Sequence, residues 1–146
     1  MNTRSKGFSL LELMIALGVL AIITVYALPA YRLHVAKANR VDASAALMRA
    51  VQFVETARLA QTSDITLPQG IDQAPSSGIA LYKLTIQPES STNGGYSIEA
   101  APISTGAMQD DACGTFVIDA TGARSNRTSA APLNAVQSSA CWGARS

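Results

Sequence analysis

Histidine, cysteine and charge are all scarce in this chain. It has one His, two Cys and 14% charged residues over 146 positions, against about 25% charged in an ordinary globular domain. Each scarcity closes off a class of chemistry. His34 alone cannot serve a Ser/His/Asp set, because it lies far in sequence from any nucleophile pattern. No Walker-type or dinucleotide-binding glycine loop is present. The formal net charge is only +1, and Arg4 and Lys6 both sit at the extreme N-terminus, so the chain without its first seven residues is near −1. Such a balance gives no overall attraction for nucleic acid and leaves only local basic patches to consider.

The cysteines are Cys113 and Cys141. In an exported chain a lone pair reads as one disulfide. It would close a loop of about 28 residues, worth about 3–4 kcal/mol in the chain-entropy picture. The rival is a metal site, which needs further sulfur or imidazole ligands, and the single His is remote. The acidic positions Asp110, Asp111 and Asp119 are the one place to imagine calcium, but their spacing is not that of an EF-hand loop. Asn126-Arg127-Thr128 fits the short glycosylation acceptor pattern.

What is abundant is apolar sequence at the N-terminus. Leu13 to Leu28 carries no charge, and Glu12 is the only charged side chain between Phe8 and Leu28. At about 21 residues, from Phe8 to Leu28, the run matches a bilayer-spanning helix rather than the shorter core of a signal peptide. The basic residues Arg4 and Lys6 place the N-terminus in the cytoplasm. A carboxylate in such a run costs roughly 2.5–3.5 kcal/mol, so Glu12 needs a partner.

The segment Lys6-Gly7-Phe8-Ser9-Leu10-Leu11-Glu12 resembles the processing site of type IV prepilins. The resemblance implies a leader of residues 1–7, cleavage by a prepilin peptidase between Gly7 and Phe8, and N-methylation of Phe8. It makes Glu12 the family's first-turn glutamate and Pro29-Ala30-Tyr31 the step that follows the apolar half. Two positions depart from the family: Ala21 and Gly18 exchange the usual place of a mid-segment Gly, and His34 stands where many pilins have a second Tyr. Whether the helix unwinds between Glu12 and Pro29 is left open by the first departure. The cleaved amine of Phe8 sits at the positive end of a helix. Glu12 of one subunit can pair with that amine on a neighbour, which offsets its desolvation cost and sets the stagger between subunits.

Past Pro29 a helical pattern resumes, with Leu47, Val51 and Val54 at spacings of four and three and Ala38 and Ala45 as small residues beside them. Pro29 is expected to kink the helix without ending it. The expected segments are thus 8–28 for the membrane or filament core, 29–60 for the amphipathic half, and 61–146 for a globular head. Turn signals fill Gln61 to Ala80. Tyr82, Leu84 and Ile86 alternate with Lys83, Thr85 and Gln87; Tyr96, Ile98 and Ala100 mark a second strand, joined through Asn93-Gly94. A third strand spans Thr115 to Asp119. The fold expected is α+β, a long N-terminal helix packed on a small antiparallel sheet.

Cys113-Gly114-Thr115-Phe116-Val117-Ile118-Asp119-Ala120-Thr121-Gly122 with Cys141-Trp142 resembles the closing region of minor pilins of the PilE kind. The resemblance implies a disulfide-closed, exposed and variable C-terminal loop, and a structural subunit rather than an enzyme. It implies no cofactor. It also implies other pilin subunits, the prepilin peptidase and an inner-membrane assembly platform as partners. The chain would cross the inner membrane once, with its head periplasmic, and then enter an extracellular pilus that serves adhesion or twitching motility. Two alternatives stand beside this. One is a type II secretion pseudopilin, which typically lacks such a disulfide. The other is a pilus-displayed DNA-uptake receptor using Lys83, Arg124, Arg127 and Arg145, residues otherwise read as scattered solubilising charges. The Glu12 pairing predicts that Glu12→Ala is still processed but enters filaments poorly; the measure is mutant protein in sheared pili against the membrane fraction. Normal incorporation would refute the pairing.

Overall fold

Helix α1 runs unbroken from Leu10 to Leu59. The computed structural model describes residues 9–62 and 64–143. Helix formers dominate this stretch, and Pro29 lies inside it without ending it, as does Gly18. No unwinding occurs between Glu12 and Pro29. The helix stops where Gln61 takes a left-handed conformation (φ 56°). Gln61 N–H then bonds to the Arg58 carbonyl and Thr62 N–H to the Ala57 carbonyl, the Schellman pattern that satisfies terminal carbonyls.

The chain falls into two compact units that meet between Val35 and Ala36. In the first unit every large apolar side chain from Leu10 to Leu28 is at least half exposed. An 18-residue window of this helix has a mean hydropathy of 2.3 and none of it is buried, so it is long and apolar enough to cross a membrane.

The second unit holds a five-stranded antiparallel sheet: β1 (Gln73–Ala74), β2 (Tyr82–Gln87), β3 (Ser97–Pro102), β4 (Thr115–Asp119) and β5 (Arg124–Arg127). Its spatial order is the chain order. Opposite residues include Leu84 with Ala100, Ile98 with Ile118, and Phe116 with Asn126. Alternation puts Tyr82, Leu84, Ile98, Ala100, Phe116 and Ile118 on the buried face. The helix meets them with Ala43, Ala46, Leu47, Ala50 and Val54. The small residues are therefore not Ala38 and Ala45, as the pattern suggested. Ala38 is exposed and Ala45 half-buried. The alanines that let the sheet approach closely are those spaced three and four apart with Leu47.

The turn between β2 and β3 is longer than a two-residue hairpin. The buried Asn93 builds it: its Oδ1 accepts from Ser90 N–H at 2.9 Å and Gly95 N–H at 3.2 Å, and its Nδ2 donates to the Pro88 carbonyl at 2.8 Å.

Cys113 and Cys141 form the expected disulfide, with their Cα atoms 5.7 Å apart. The segment it encloses is not an irregular loop. It contains β4, β5 and a second helix, α2 (Ala135–Cys141). An Asn134–Gln137 capping box starts α2, the reciprocal arrangement that satisfies two orphan N–H groups. Asn126 is fully buried. Its Nδ2 donates to the Cys113 carbonyl at 3.0 Å and its Oδ1 accepts from Ser138 Oγ at 2.8 Å. The acceptor pattern at Asn126 is therefore sealed in the core. Beside it, Gly114 has φ +56°, and a Cβ there would lie 2.4 Å from the Arg127 carbonyl oxygen, so no other residue fits without moving the β4–β5 ladder.

Asn126→Ala leaves the Cys113 carbonyl and Ser138 hydroxyl unpaired in the core. It should destabilise the head by about 2–4 kcal/mol, against about 1 kcal/mol for the exposed cap change Asn134→Ala. Chemical denaturation of the oxidised protein reads both, and equal small losses would contradict the buried link.

Candidate functional site

The residues expected to act in processing fall at the very N-terminus. Gly7 and Phe8 lie outside the described residues. Glu12 occupies the first turn of α1 and is exposed. Pro29 stays helical.

Of the four cations in the alternative DNA-binding set, the three described ones do not share one surface. Lys83 is ion-paired with Asp72. That pairing is the main reason the Asp72 carboxyl titrates below its ordinary value. Arg127 Nη2 lies 2.5 Å from Glu99 Oε2, and Gln87 Nε2 also donates to this carboxylate at 3.3 Å. Lys83 alternates with the buried Tyr82 and Leu84, and Arg127 follows the buried Asn126. Both therefore stand on the face of the sheet away from the core. Arg124 shares the parity of Asn126 and belongs to the other side, where its guanidinium lies 5.2 Å from the centre of the Trp142 ring. Arg145 lies outside the described residues.

What gathers around Trp142 is a different set. Phe116 packs edge-on against Trp142 at 5.2 Å and Tyr82 against Phe116 at 6.0 Å, a chain of T-shaped contacts running through the core. A cavity of about 300 Å³ beside Trp142 is walled by Lys37, Arg40, Val41 and Ser44 of α1 and by Ala140 to Gly143 at the end of α2. Lys37-x-x-Arg40 and Val41-x-x-Ser44 are one-turn spacings on a helix, a signal available in the sequence but weak without knowing where Trp142 would dock.

Arg40 is held in a fork. Its Nε donates to both oxygens of Asp111 at 3.1 Å and its Nη2 to Asp111 Oδ2 at 2.7 Å. Asp111 Oδ1 also accepts from Cys113 N–H at 3.0 Å. The Tyr82 hydroxyl is fully buried without a hydrogen-bond partner. Its pKa is raised, first by burial and then by the Asp111 charge, with Arg40 opposing. Across the unit, Tyr96 donates to Glu55 Oε1 at 2.6 Å beneath the Arg58 guanidinium.

Asp111 and Asp119 have structural partners, while Asp110 is exposed and accepts from the adjacent Gln109 Nε2 at 3.2 Å. Asp111 is engaged by Arg40. Burial pushes Asp119 up, but hydrogen bonds from the Thr121 hydroxyl and the N–H groups of Ala123, Thr121 and Gly122 outweigh it and hold its carboxyl below the ordinary value. Asp119 thus organises the β4–β5 turn. Among the described residues no group of three His, Cys, Asp or Glu is placed to hold a metal.

A family model described as type IV minor pilin ComP, DNA uptake sequence receptor, matches residues 29–117. A second, described as the prokaryotic N-terminal methylation motif, matches residues 2–28. A comparison with curated proteins finds no match. The two matched spans adjoin at Leu28 and Pro29 and include Gly7, Phe8, Glu12, Lys37, Arg40, Asp111 and Cys113. Arg124, Arg127, Cys141 and Trp142 lie beyond them.

The fork has a measurable consequence. The Asp111 side chain is 6% exposed, so Arg40→Met strands a nearly buried carboxylate and should cost about 3–5 kcal/mol. Adding Asp111→Asn should recover part of that loss. Denaturant melts of the single and double variants test this, and additive losses would show that the pair does not act as a unit.

Proposed function

The chain belongs to the family of the type IV minor pilin ComP, DNA uptake sequence receptor, so it is a pilin subunit; we propose that it is a pilus-displayed receptor that binds DNA through its head. Membership implies contact with other pilins, and the methylation motif implies the prepilin peptidase. The apolar helix fits membrane anchoring before assembly. Cleavage between Gly7 and Phe8, pairing of Glu12 with a neighbour's amine, a periplasmic head, extraction by an inner-membrane platform and an extracellular pilus all belong to this proposal.

The family description carries the DNA reading more than the overall charge does. From Ala36 onward the chain has eight Lys and Arg against nine Asp and Glu. A head with no cationic excess has no long-range pull on DNA, so binding rests on a local cluster. The geometry that supports it is the neighbourhood of Trp142: Arg124 lies over its ring and Lys37 stands at its cavity, and neither has an acidic ion-pair partner among the described residues. Lys83 and Arg127, each with a carboxylate, are weaker candidates for phosphate contact. This revises the expected set toward Arg124. A role in adhesion or twitching has no comparable residue cluster behind it.

The full chain in maltoside micelles should shift a short duplex at low salt, with affinity falling steeply as salt rises. Arg124→Ala should weaken binding about tenfold, the scale of one lost charged contact, and Lys83→Ala much less. No shift at low salt, or a shift indifferent to Arg124→Ala together with Arg127→Ala, would remove the reading. In the cell, deletion of the gene should reduce DNA uptake more than surface piliation, twitching or protein secretion.

A further inference from the structure

The cavity between α1 and the C-terminal turn of the head differs in chemistry from its neighbours. Two larger cavities, of about 590 and 500 Å³, carry carboxylates in their walls, Asp110 and Asp111 in one and Asp64 in the other. The cavity beside Trp142 has none. Its polar side chains are donors. Lys37 is exposed and forms no ion pair among the described residues. Arg40 spends Nε and Nη2 on Asp111, which leaves Nη1 without a protein partner. Ser44 Oγ donates to the Val41 carbonyl at 2.9 Å and retains acceptor capacity, or can turn to donate elsewhere. The Trp142 indole N–H is buried and has no hydrogen-bond partner.

That N–H has no surface open to the cavity, so the case for an anion rests on Lys37 and Arg40 in a wall without a carboxylate. Asp111 cancels one of the two positive charges from behind Arg40, so the site carries a net charge near +1. That suits an oxyanion reached through several donors rather than a bare counter-ion. The Lys point charge, the flat guanidinium and a hydroxyl are the groups that bind phosphate oxygens.

We propose that this cavity seats a phosphate oxyanion, held by Lys37, Arg40 and Ser44 beside the Trp142 side chain. The phosphate is either inorganic phosphate or a phosphodiester of the DNA backbone, and the second source rests on the DNA reading above.

Trp142 is the single tryptophan of the chain, so its fluorescence and its indole ¹H–¹⁵N signal report on one place, where the cavity wall meets the ring that Arg124 covers, and the Lys37→Gln response separates the two. The full oxidised protein in maltoside micelles, which bring no phosphate of their own, is titrated with inorganic phosphate and separately with a short duplex. DNA binding is followed by anisotropy of the duplex. Inorganic phosphate should move the indole signal saturably. Lys37→Gln should weaken that response about tenfold and Ser44→Ala should weaken it less, while the exposed Arg49→Gln leaves it unchanged. Lys37 is exposed, so Lys37→Gln should fold, and an unchanged denaturation midpoint confirms it. If the backbone is the source, the duplex moves the same signal and Lys37→Gln lowers the salt slope of DNA binding by about one. Duplex binding without movement of the indole signal refutes the backbone source and leaves inorganic phosphate. Failure of the duplex to bind overturns the receptor reading while the phosphate titration still decides the seat. No saturable response to inorganic phosphate, or one unaffected by Lys37→Gln, overturns the seat whatever the duplex does.

Discussion

Asp111 is the joint at which helix, sheet and disulfide meet. One carboxylate takes the Arg40 fork from α1 and the N–H of Cys113 from the chain that enters β4. The Cys113 carbonyl passes the connection to Asn126 in β5, Asn126 passes it to Ser138 in α2, and α2 ends at Cys141, whose sulfur returns to Cys113. The circuit is closed, and Cys113, Asn126 and Ser138 within it are buried. Loss of either Asn126 link leaves a buried polar group without a partner, so these members enforce one another. The position of Trp142, one residue beyond Cys141, is inherited from this ring of contacts.

The two units pose opposite solvation problems. The head satisfies its apolar face within itself, through the sheet and the alanine-rich stripe of α1. The N-terminal unit satisfies none of its own, since its leucines, isoleucines and valines stand open all around the helix. A helix apolar on every side is stable only inside lipid or among other helices. Glu12 is the one charged side chain between Phe8 and Leu28, so it alone in that stretch carries a solvation demand that apolar surroundings do not meet.

The long helix was legible because its first half is one unbroken apolar run and its second half carries Leu47, Val51 and Val54 at helical spacing, and the central strands because Tyr82–Ile86 and Tyr96–Ala100 alternate and Thr115–Asp119 runs apolar into a turn. The disulfide was legible by counting. Three elements were not. The strand β1 has two residues and no period to detect. The strand β5 reads Arg-Ser-Asn-Arg, a polar string whose one buried member, Asn126, is buried through hydrogen bonds instead of apolarity. The helix α2 lies in a Ser- and Ala-rich stretch that resembles a loop until Asn134 and Gln137 are seen as a capping box. The placement of the basic residues was hidden for a related reason. Grouping Lys83, Arg124 and Arg127 by sign ignored strand parity, which sends Arg124 to one face and Arg127 to the other, and ignored the carboxylates of Asp72 and Glu99 waiting beside two of them.

The sheet keeps the order of the chain, each strand pairing with the one before it. Every pairing is therefore made across a short span, and the slow search that parallel or crossed sheets require is avoided. A chain that emerges from its N-terminus can lay down strands in sequence against a helix already made. Cys141 meets a Cys113 whose N–H is held by Asp111 and whose carbonyl is held by Asn126. Two cysteines permit one intramolecular pairing. Oxidation then has nothing to sort, and the bond ties the end of α2 to the start of β4.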